Sequence, residues 1–479
     1  MCFFELFEVR LCGRVTASLA AWLMAVLVLN VGQSRAQGVP GSAAATTVQQ
    51  PVFGVAVSPE GVMEQLQFAA PGGELFHQRA AMARATLNAN LQKPTAMRMV
   101  SLARLQEAIK SHQEKQQLLP DDILKLAGLQ RLEYIFAEPD DADIIIGGPA
   151  QGWIIDADGR TVGMLNRRPV MLLEDLLTAL RTFRVEKPKE VWVGCSIGPT
   201  AGGLARLKEL QRNLPKQVLQ SQEQAVASAV WIGIEQALGD GDITVFGISP
   251  RTNMAKVMIE ADYRMKLIAI GREPPPVDMP VFFALLKSVP HNNFQRWWFT
   301  PNYQCVEISN DRLAMRISGQ GVKLGTEEYK TDGQGRLIQL KSKPLPAAKL
   351  YADSFTKKYP EIAAASPVFG QLRNTIDLLI AASFIQRENL LAQTGLDIRM
   401  LLDPETIDVE SLIAPTRAKS LANVKWDSGT MIAPSGGVSI LASDAFRDDM
   451  LLQVSPEFRV RLSQKKNAEK RERWWWDSL

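Results

Sequence analysis

Apolar residues recur along the chain with two different periods, which separate predicted helices from predicted strands. Near the N-terminus, helices are predicted at residues 73–91 and 96–117. In the second segment the apolar residues from Met97 to Ile109 fall at three- and four-residue spacings, as on one face of a helix. The remaining positions carry mainly Arg, Lys, Gln and Glu, which is typical of a solvated face.

After Arg131 the pattern changes to short apolar runs that are bounded by turn residues. Strands are predicted at residues 132–138, 142–148 and 152–163. The last of these contains Asp158-Gly159 between apolar flanks, which is a strong hairpin signal. A helix is predicted next, at residues 172–184.

Two strand-helix units follow and form the most organised part of the sequence. Strands at 191–193 and 243–247 each precede a helix, and Thr200 or Thr252 occupies the position of its N-cap. A further helix at 221–238 lies between the two units. This order predicts a sheet with helices packed on it.

The helix that follows Thr252 has a methionine-rich apolar face. Lys256, Glu260 and Arg264 are spaced four residues apart on the opposite side. The pattern predicts an ordinary amphipathic helix. Its methionines are expected to fill the core rather than bind a soft metal or a cofactor.

The C-terminal half is predicted to start with an antiparallel section after the prolines at 274–276. Its strands are expected at 293–299, 303–308, 312–317 and 322–329. Helices are predicted at 347–358 and 369–392, and the chain beyond Leu401 is expected to be mostly loop. The predicted fold class is therefore α+β or α/β, with a mixed sheet, packed helices, an antiparallel strand section and flanking helical segments.

These patterns divide the chain into five predicted parts. They are a signal peptide at 1–36, a flexible linker at 37–68, a helical N-terminal segment at 69–118, a mixed α/β core domain at 119–395, and a loop-rich C-terminal extension with a basic-aromatic tail at 396–479.

The N-terminus has the layout of a secretory signal. Arg10 and Arg14 precede an apolar run at 15–31, and small residues follow it, so cleavage is predicted between Ala36 and Gln37. The sequence thus predicts export to the periplasm, the cell envelope or the medium. The alternative is an uncleaved segment that anchors the protein in the membrane.

Composition and charge indicate an ordinary globular protein without a special class of partner. The chain has 54 basic and 51 acidic residues and a formal charge of +3, which gives no reason to expect a nucleic-acid partner. With 46% hydrophobic and 22% charged residues it resembles ordinary globular proteins. The three histidines have no metal-site spacing, and no C-x-x-C pair occurs, so neither a metal nor a cofactor is predicted.

Two cysteines and a cluster of tryptophans remain as features of the predicted mature chain. Cys195 and Cys305 are expected either to form one disulfide or to remain as buried free thiols. Trp474, Trp475 and Trp476 follow a basic run near the C-terminus. Such a tail would contact an anionic membrane or a protein partner, or its indoles would fold back onto the body.

One segment matches a catalytic motif. Residues 194–198 fit G-x-S-x-G after a predicted strand, which would make Ser196 a nucleophile, His291 its base, and Asp262 or Asp278 the orienting acid. The helix, however, is predicted to start about four residues after the serine, and no oxyanion loop is visible. The favoured hypothesis is an exported, non-catalytic protein that acts by protein or envelope interaction, with a serine hydrolase as the alternative.

Four stretches carry a resemblance to a known family. They are GCSIGPTAGGLARL at 194–207, ADYRMK at 261–266, QRWWFTPNY at 295–303, and YADSFTKKYPEIAAASPVFGQLRN at 351–374. The chain from about 120 to 395 resembles a family of secreted, planctomycete-type bacterial proteins classified only as a domain of unknown function. The resemblance implies export and one core domain, and it brings no reaction, ligand or catalytic residue.

Overall fold

The computed structural model describes residues 51–69, 73–184, 190–214, 220–286, 293–331, 337–339, 345–425, 430–466 and 475–478. The predicted signal peptide with its cleavage site at Ala36 and Gln37 lies outside these ranges, and so do His291 and Trp474. Residues Gln50–Leu479 form one compact unit.

The strands are β1 Pro51–Val57, β2 Val62–Ala69, β3 Thr95–Ser101, β4 Tyr134–Glu138, β5 Asp143–Ala150, β6 Trp153–Ile155, β7 Thr161–Gly163, β8 Trp192–Gly198, β9 Asp240–Phe246, β10 Asn293–Pro301, β11 Val306–Ile308, β12 Ala314–Ile317, β13 Val322–Thr331, β14 Leu337–Gln339, β15 Arg417–Lys419, β16 Asn423–Lys425, β17 Thr430–Leu441 and β18 Trp476–Ser478.

The helices are α1 Gly73–Thr86, α2 Ala89–Gln92, α3 Leu102–Glu114, α4 Asp121–Leu124, α5 Leu173–Thr182, α6 Ala201–Arg212, α7 Glu223–Leu238, α8 Asn253–Ala269, α9 Phe282–Leu285, α10 Pro346–Lys357, α11 Tyr359–Ala365, α12 Pro367–Arg387, α13 Leu390–Thr394, α14 Arg399–Leu402 and α15 Pro456–Lys466. Short 3₁₀ turns occur at Leu126–Gly128, Pro139–Asp141, Gln220–Gln222 and Ala442–Phe446.

The larger sheet is mixed and has the strand order β1-β2-β15-β9-β8-β17-β10-β13-β14, with β16 paired to β17. Most pairs are antiparallel, whereas β10 runs parallel to β17 and β15 runs parallel to β2. The two predicted strand-helix units are present as β8 with α6 and β9 with α8. The predicted fold class, a mixed sheet with packed helices, is confirmed.

A second sheet has the order β11-β12-β4-β5-β3-β18, and all of its pairs are antiparallel. The predicted antiparallel section is thus divided, because β10 and β13 belong to the larger sheet and β11 and β12 to the smaller one. The hairpin predicted at Asp158-Gly159 is confirmed as β6 and β7. Gly159 has φ +76°, a value that favours glycine.

Helix α8 lies between the larger sheet and two other helices. It contacts β8, β10 and β17 on one side and α5 and α12 on the other. The amphipathic pattern predicted for this helix does not expose Glu260 and Arg264, which are 1% and 8% exposed. These charges are buried in pairs instead, with Glu260 bonded to Arg160 and Arg264 to Glu273.

Residues 51–69 differ from the predicted flexible linker. They form the antiparallel hairpin β1-β2, which joins the larger sheet through β15. The Gly-, Ala-, Ser- and Thr-rich composition that suggested a linker ends at Gln50, and a β-branched and apolar run begins at Pro51. Met63 on this hairpin is buried.

The single helix predicted at 96–117 is wrong in its first turn and a half. Residues Thr95–Ser101 form strand β3, and α3 begins only at Leu102. The strand is buried from Met97 onwards on both faces and includes the buried polar residues Arg98 and Ser101, so its sequence lacks the alternation of apolar and polar positions that identifies a half-buried strand. Ser101 is the N-cap that marks the boundary, since its side chain accepts from the backbone N–H of Arg104 at 3.1 Å.

The chain beyond Leu401 is also more ordered than predicted. Strand β17 lies in the middle of the larger sheet, between β8 and β10. Its interior Pro434, Ser435, Gly436 and Gly437 disfavour a strand in isolation. Close neighbours account for the two glycines: a Cβ on Gly436 would stand 2.2 Å from the Trp297 carbonyl oxygen, and one on Gly437 would stand 2.1 Å from that of Cys195.

Strand pairing crosses the predicted boundaries at residues 118 and 395. Strand β3 pairs with β5, and β17 pairs with β8 and β10. Among the helices in the described ranges, none combines the length and the apolar character that a membrane crossing requires.

Candidate functional site

Ser196 lies inside strand β8 rather than on a sharp turn. The strand continues to Gly198, and α6 begins at Ala201 with Thr200 as its N-cap. The Thr200 hydroxyl accepts from the backbone N–H of Gly203 at 3.0 Å. A nucleophile elbow places its serine directly between strand and helix, so this segment lacks that geometry.

Asp262 faces the side of the sheet opposite to Ser196. Asp262 lies on α8, next to Gly436 of β17. A Cβ built on Gly436 would stand 2.7 Å from the Asp262 Oδ1, so the side-chain direction at Gly436 points towards Asp262. Gly436 pairs with Ile197 in β8, and directly paired residues lie on the same face of a sheet. Ser196 is the neighbour of Ile197 along the strand and points to the opposite face. Ser196 therefore points away from Asp262, and His291 lies outside the described residues. The structure does not bring the predicted serine and acid together.

Both cysteines are buried free thiols, which is the second of the two alternatives that the sequence left open. Cys195 belongs to the larger sheet, whereas Cys305 directly precedes β11 of the smaller one. Burial raises the pKa of Cys305 to about 12 and that of Cys195 further. Neither is a reactive thiolate at neutral pH.

Asp262 and Lys266 form a buried ion pair on α8. The Lys266 Nζ lies 2.6 Å from the Asp262 Oδ2, and both side chains are 2% exposed or less. Burial raises the pKa of Asp262, while the charge of Lys266 acts in the opposite direction. A cavity of about 30 Å³ borders Lys266 and Tyr263, which is room for a water molecule and little more. This arrangement is structural.

The more spacious cavity is a groove of about 570 Å³, which we call the arginine groove. Its walls come from the C-terminal part of α5, the loop between β9 and α8, and the segment that follows α14. The charged side chains that line it are Arg181, Arg184, Arg251, Asp408 and Glu410. Its volume is in the range of small-molecule binding sites.

Arg181 is the most buried charge of the groove, at 9% exposure. Its Nε donates to the Leu401 carbonyl at 3.1 Å and its Nη2 to the Asp403 carbonyl at 2.9 Å. The buried Nη1 has no hydrogen-bond partner among the described residues, and neither has the buried Nε of Arg184. Two donors of adjacent guanidinium groups are thus buried behind this wall without a partner among the described residues, and neither is exposed to the groove.

Charges of both signs surround the Arg181 guanidinium. Burial lowers the pKa of Arg181, and the neighbouring charge of Arg184 lowers it further. The carboxylates of Asp403, Asp408 and Glu410 act in the opposite direction. An arginine remains protonated in this setting, so the wall stays cationic.

Thr252, the N-cap of α8, forms another part of the groove. Thr252 lines it and caps the helix, since its hydroxyl accepts from the backbone N–H of Ala255 at 3.3 Å. The next residue, Asn253, donates to both carboxyl oxygens of Asp175, at 3.0 and 3.2 Å. Burial raises the pKa of Asp175 to about 8, so this carboxyl is mostly neutral at pH 7 and does not cancel the arginine charges.

Sequence reasoning missed the arginine groove. Arg181 and Arg184 fall at the end of a correctly predicted helix, and Arg251 lies in a loop that was assigned only a capping role. No local motif links them, because the three wall segments are distant in sequence. The one signal in the sequence is the three-residue spacing of Arg181, in the last turn of α5, and Arg184, just after that helix.

The tryptophan tail is partly placed by the structure. Trp475 is 7% exposed and packs in the main core, and Trp476 lies beneath the Arg98 guanidinium at 5.2 Å. A membrane contact through these indoles would require Trp475 to leave its packed position. Trp474 lies outside the described residues.

Residues 195–282 match a family described as "Protein of unknown function (DUF1598)". The match spans most of β8, together with α6, α7, β9, α8 and the loop that contributes Arg251 to the groove. The resemblance to a domain of unknown function is confirmed for these residues. No curated protein and no solved structure matches the chain at a significant level.

Proposed function

We propose that the protein is an exported, non-catalytic binding protein that holds an anionic group of its ligand in the arginine groove. One observation carries the proposal: Arg181, Arg184 and Arg251 converge on a groove of about 570 Å³, and the exposed Arg251 side chain has no partner among the described residues. A carboxylate or phosphate in the groove would form charge-assisted hydrogen bonds with the Arg251 guanidinium and would be attracted by the charges of Arg181 and Arg184.

Export and an envelope role are supported by the sequence. The apolar run at 15–31, after Arg10 and Arg14, has the layout of a secretory signal. The resemblance to secreted planctomycete-type proteins points in the same direction. We therefore place the ligand or partner in the cell envelope, where a contact of the tryptophan tail with lipid remains a secondary proposal.

Binding is tested with two anions, inorganic phosphate and N-acetyl-diglycine, added to the purified protein at constant ionic strength. We expect a saturable rise in the melting temperature and a measurable dissociation constant by calorimetry. Arg251→Gln should weaken binding by about tenfold to a hundredfold, because one charge-assisted hydrogen bond is worth about 1.5–3 kcal/mol. Arg251 is exposed at the groove and has no side-chain partner among the described residues, so the variant should fold normally.

Arg459→Gln is the matched control for this experiment. Arg459 is an exposed arginine on α15 that does not line the groove. Its variant should bind both anions like the unmodified protein. Equal loss in the two variants, or no response to either anion beyond that to sodium chloride, would remove the proposed site.

The alternative, a serine hydrolase, predicts covalent chemistry at Ser196. Because Ser196 lies within β8 and points away from Asp262, we expect no stoichiometric labelling by a fluorophosphonate probe in intact-mass measurements. Ser196→Ala is the control. Labelling of the unmodified protein that disappears in this variant would establish an enzyme and overturn the non-catalytic proposal.

A further inference from the structure

The arginine groove carries charges of both signs, and they come from different walls. The positive charges come from the end of α5 and from the loop before α8, as Arg181, Arg184 and Arg251. The negative charges, Asp408 and Glu410, come from the segment after α14. A ligand in the groove therefore meets cationic and anionic surfaces together.

The acidic wall is held in shape by its own backbone. The Asp408 Oδ1 accepts from the backbone N–H of Glu410 at 2.7 Å, which fixes the turn between the two residues. The Glu410 carboxylate is half-buried and engages in neither an ion pair nor a hydrogen bond with any described residue. It is thus available to a donor on a ligand.

A purely anionic ligand would satisfy only one of these walls. Its charge would be attracted by Arg181 and Arg184 and repelled by Asp408 and Glu410, which already act on Arg181. A ligand that also carries a cation would replace this repulsion with attraction. Opposite charges on two walls therefore select against simple anions, which is how binding sites commonly achieve specificity.

We infer that the ligand of the arginine groove is zwitterionic, with a carboxylate or phosphate group at the arginines and an ammonium group at Glu410 and Asp408. This inference rests on the proposed function. Amino acids and short peptides with a free amino terminus have this chemistry, and the volume of about 570 Å³ suits a ligand of that size.

The test compares diglycine with N-acetyl-diglycine, which has the same carboxylate and no ammonium group. Calorimetry on the unmodified protein should show about tenfold tighter binding of diglycine, equivalent to about 1.4 kcal/mol. In Glu410→Gln this preference should disappear, while the affinity for N-acetyl-diglycine should stay the same or rise. Glu405→Gln is the matched control, because Glu405 is exposed on the same segment and does not line the groove.

The outcomes separate the two proposals. Equal binding of both peptides, or a preference that survives in Glu410→Gln, overturns the zwitterion while the anion site stands. If neither peptide nor phosphate binds the folded protein, the arginine groove is not a ligand site and both proposals fail. Circular dichroism of each variant confirms that it is folded.

Discussion

Replacing Lys266 with methionine is expected to lower the free energy of unfolding by about 3–5 kcal/mol, because it leaves the Asp262 carboxylate buried without its partner. The Nζ of Lys266 lies 2.6 Å from Asp262 Oδ2, and the carboxylate is fully buried between α8 and β17. Urea unfolding followed by circular dichroism measures the loss.

The loss of unfolding free energy in Lys266→Met should also depend on pH. Burial raises the pKa of Asp262 in the folded state, and removal of Lys266 takes away the charge that opposes this rise. A raised carboxyl pKa means that the folded state binds more protons than the unfolded state, so stability falls as pH increases. We therefore expect the variant to be closest to the unmodified protein at acidic pH.

Two further variants test whether the loss of stability in Lys266→Met comes from the unpaired Asp262 carboxylate. Asp262→Asn combined with Lys266→Met should recover most of the stability, since no charge is then left without a partner. Lys349→Met is the matched control on an exposed pair of the same spacing with Asp353, and it should change stability by less than about 1 kcal/mol. A similar cost for Lys266→Met and Lys349→Met would contradict the prediction.

Trp475→Ala is expected to destabilise the protein by about 3–5 kcal/mol, the range for removing a buried tryptophan. Trp475 is 7% exposed, and its backbone carbonyl accepts from the N–H of Ser101 at 2.9 Å. Its side chain fixes β18 at the edge of the smaller sheet, next to β3. Thermal and urea unfolding measure the effect.

Trp192→Ala is the matched control for this prediction. Trp192 is also a strand tryptophan, in β8, but it is 56% exposed. Its removal should change stability by about 0.5 kcal/mol or less. If the two variants have the same stability, Trp475 is not packed in solution, and the tail is then free to contact a membrane or a partner.

The sequence predicted elements well where a single period was uninterrupted. Helix α7, the strand-helix units around β8 and β9, and the hairpin at Asp158-Gly159 all occur where expected. The prediction from sequence failed where a strand is buried on both faces, because apolar and polar residues then do not alternate along it. Strand β3 was merged into a helix, and β17 was overlooked because Gly436 and Gly437 weaken any local preference for a strand.

The candidate site was less predictable than the fold. Residues 194–198 fit a catalytic motif, but the pleat of β8 directs Ser196 away from Asp262. The groove that the structure does form depends on Arg181, Arg251 and Glu410, which three separate segments contribute. No spacing in the sequence predicts that these three side chains lie together, because their positions result from the packing of α5, α8 and the chain after α14.

The sequence by itself determined the fold class, the main helices, the capping threonines and the absence of metal-site spacings, since these follow from local periods and residue types. Only the tertiary structure decided which charges are buried in pairs, that the cysteines are free thiols, and where β17 and β18 lie. The reason is physical: burial, desolvation and the satisfaction of hydrogen bonds depend on neighbours that are remote in sequence. The same contacts position the arginines and carboxylates of the arginine groove.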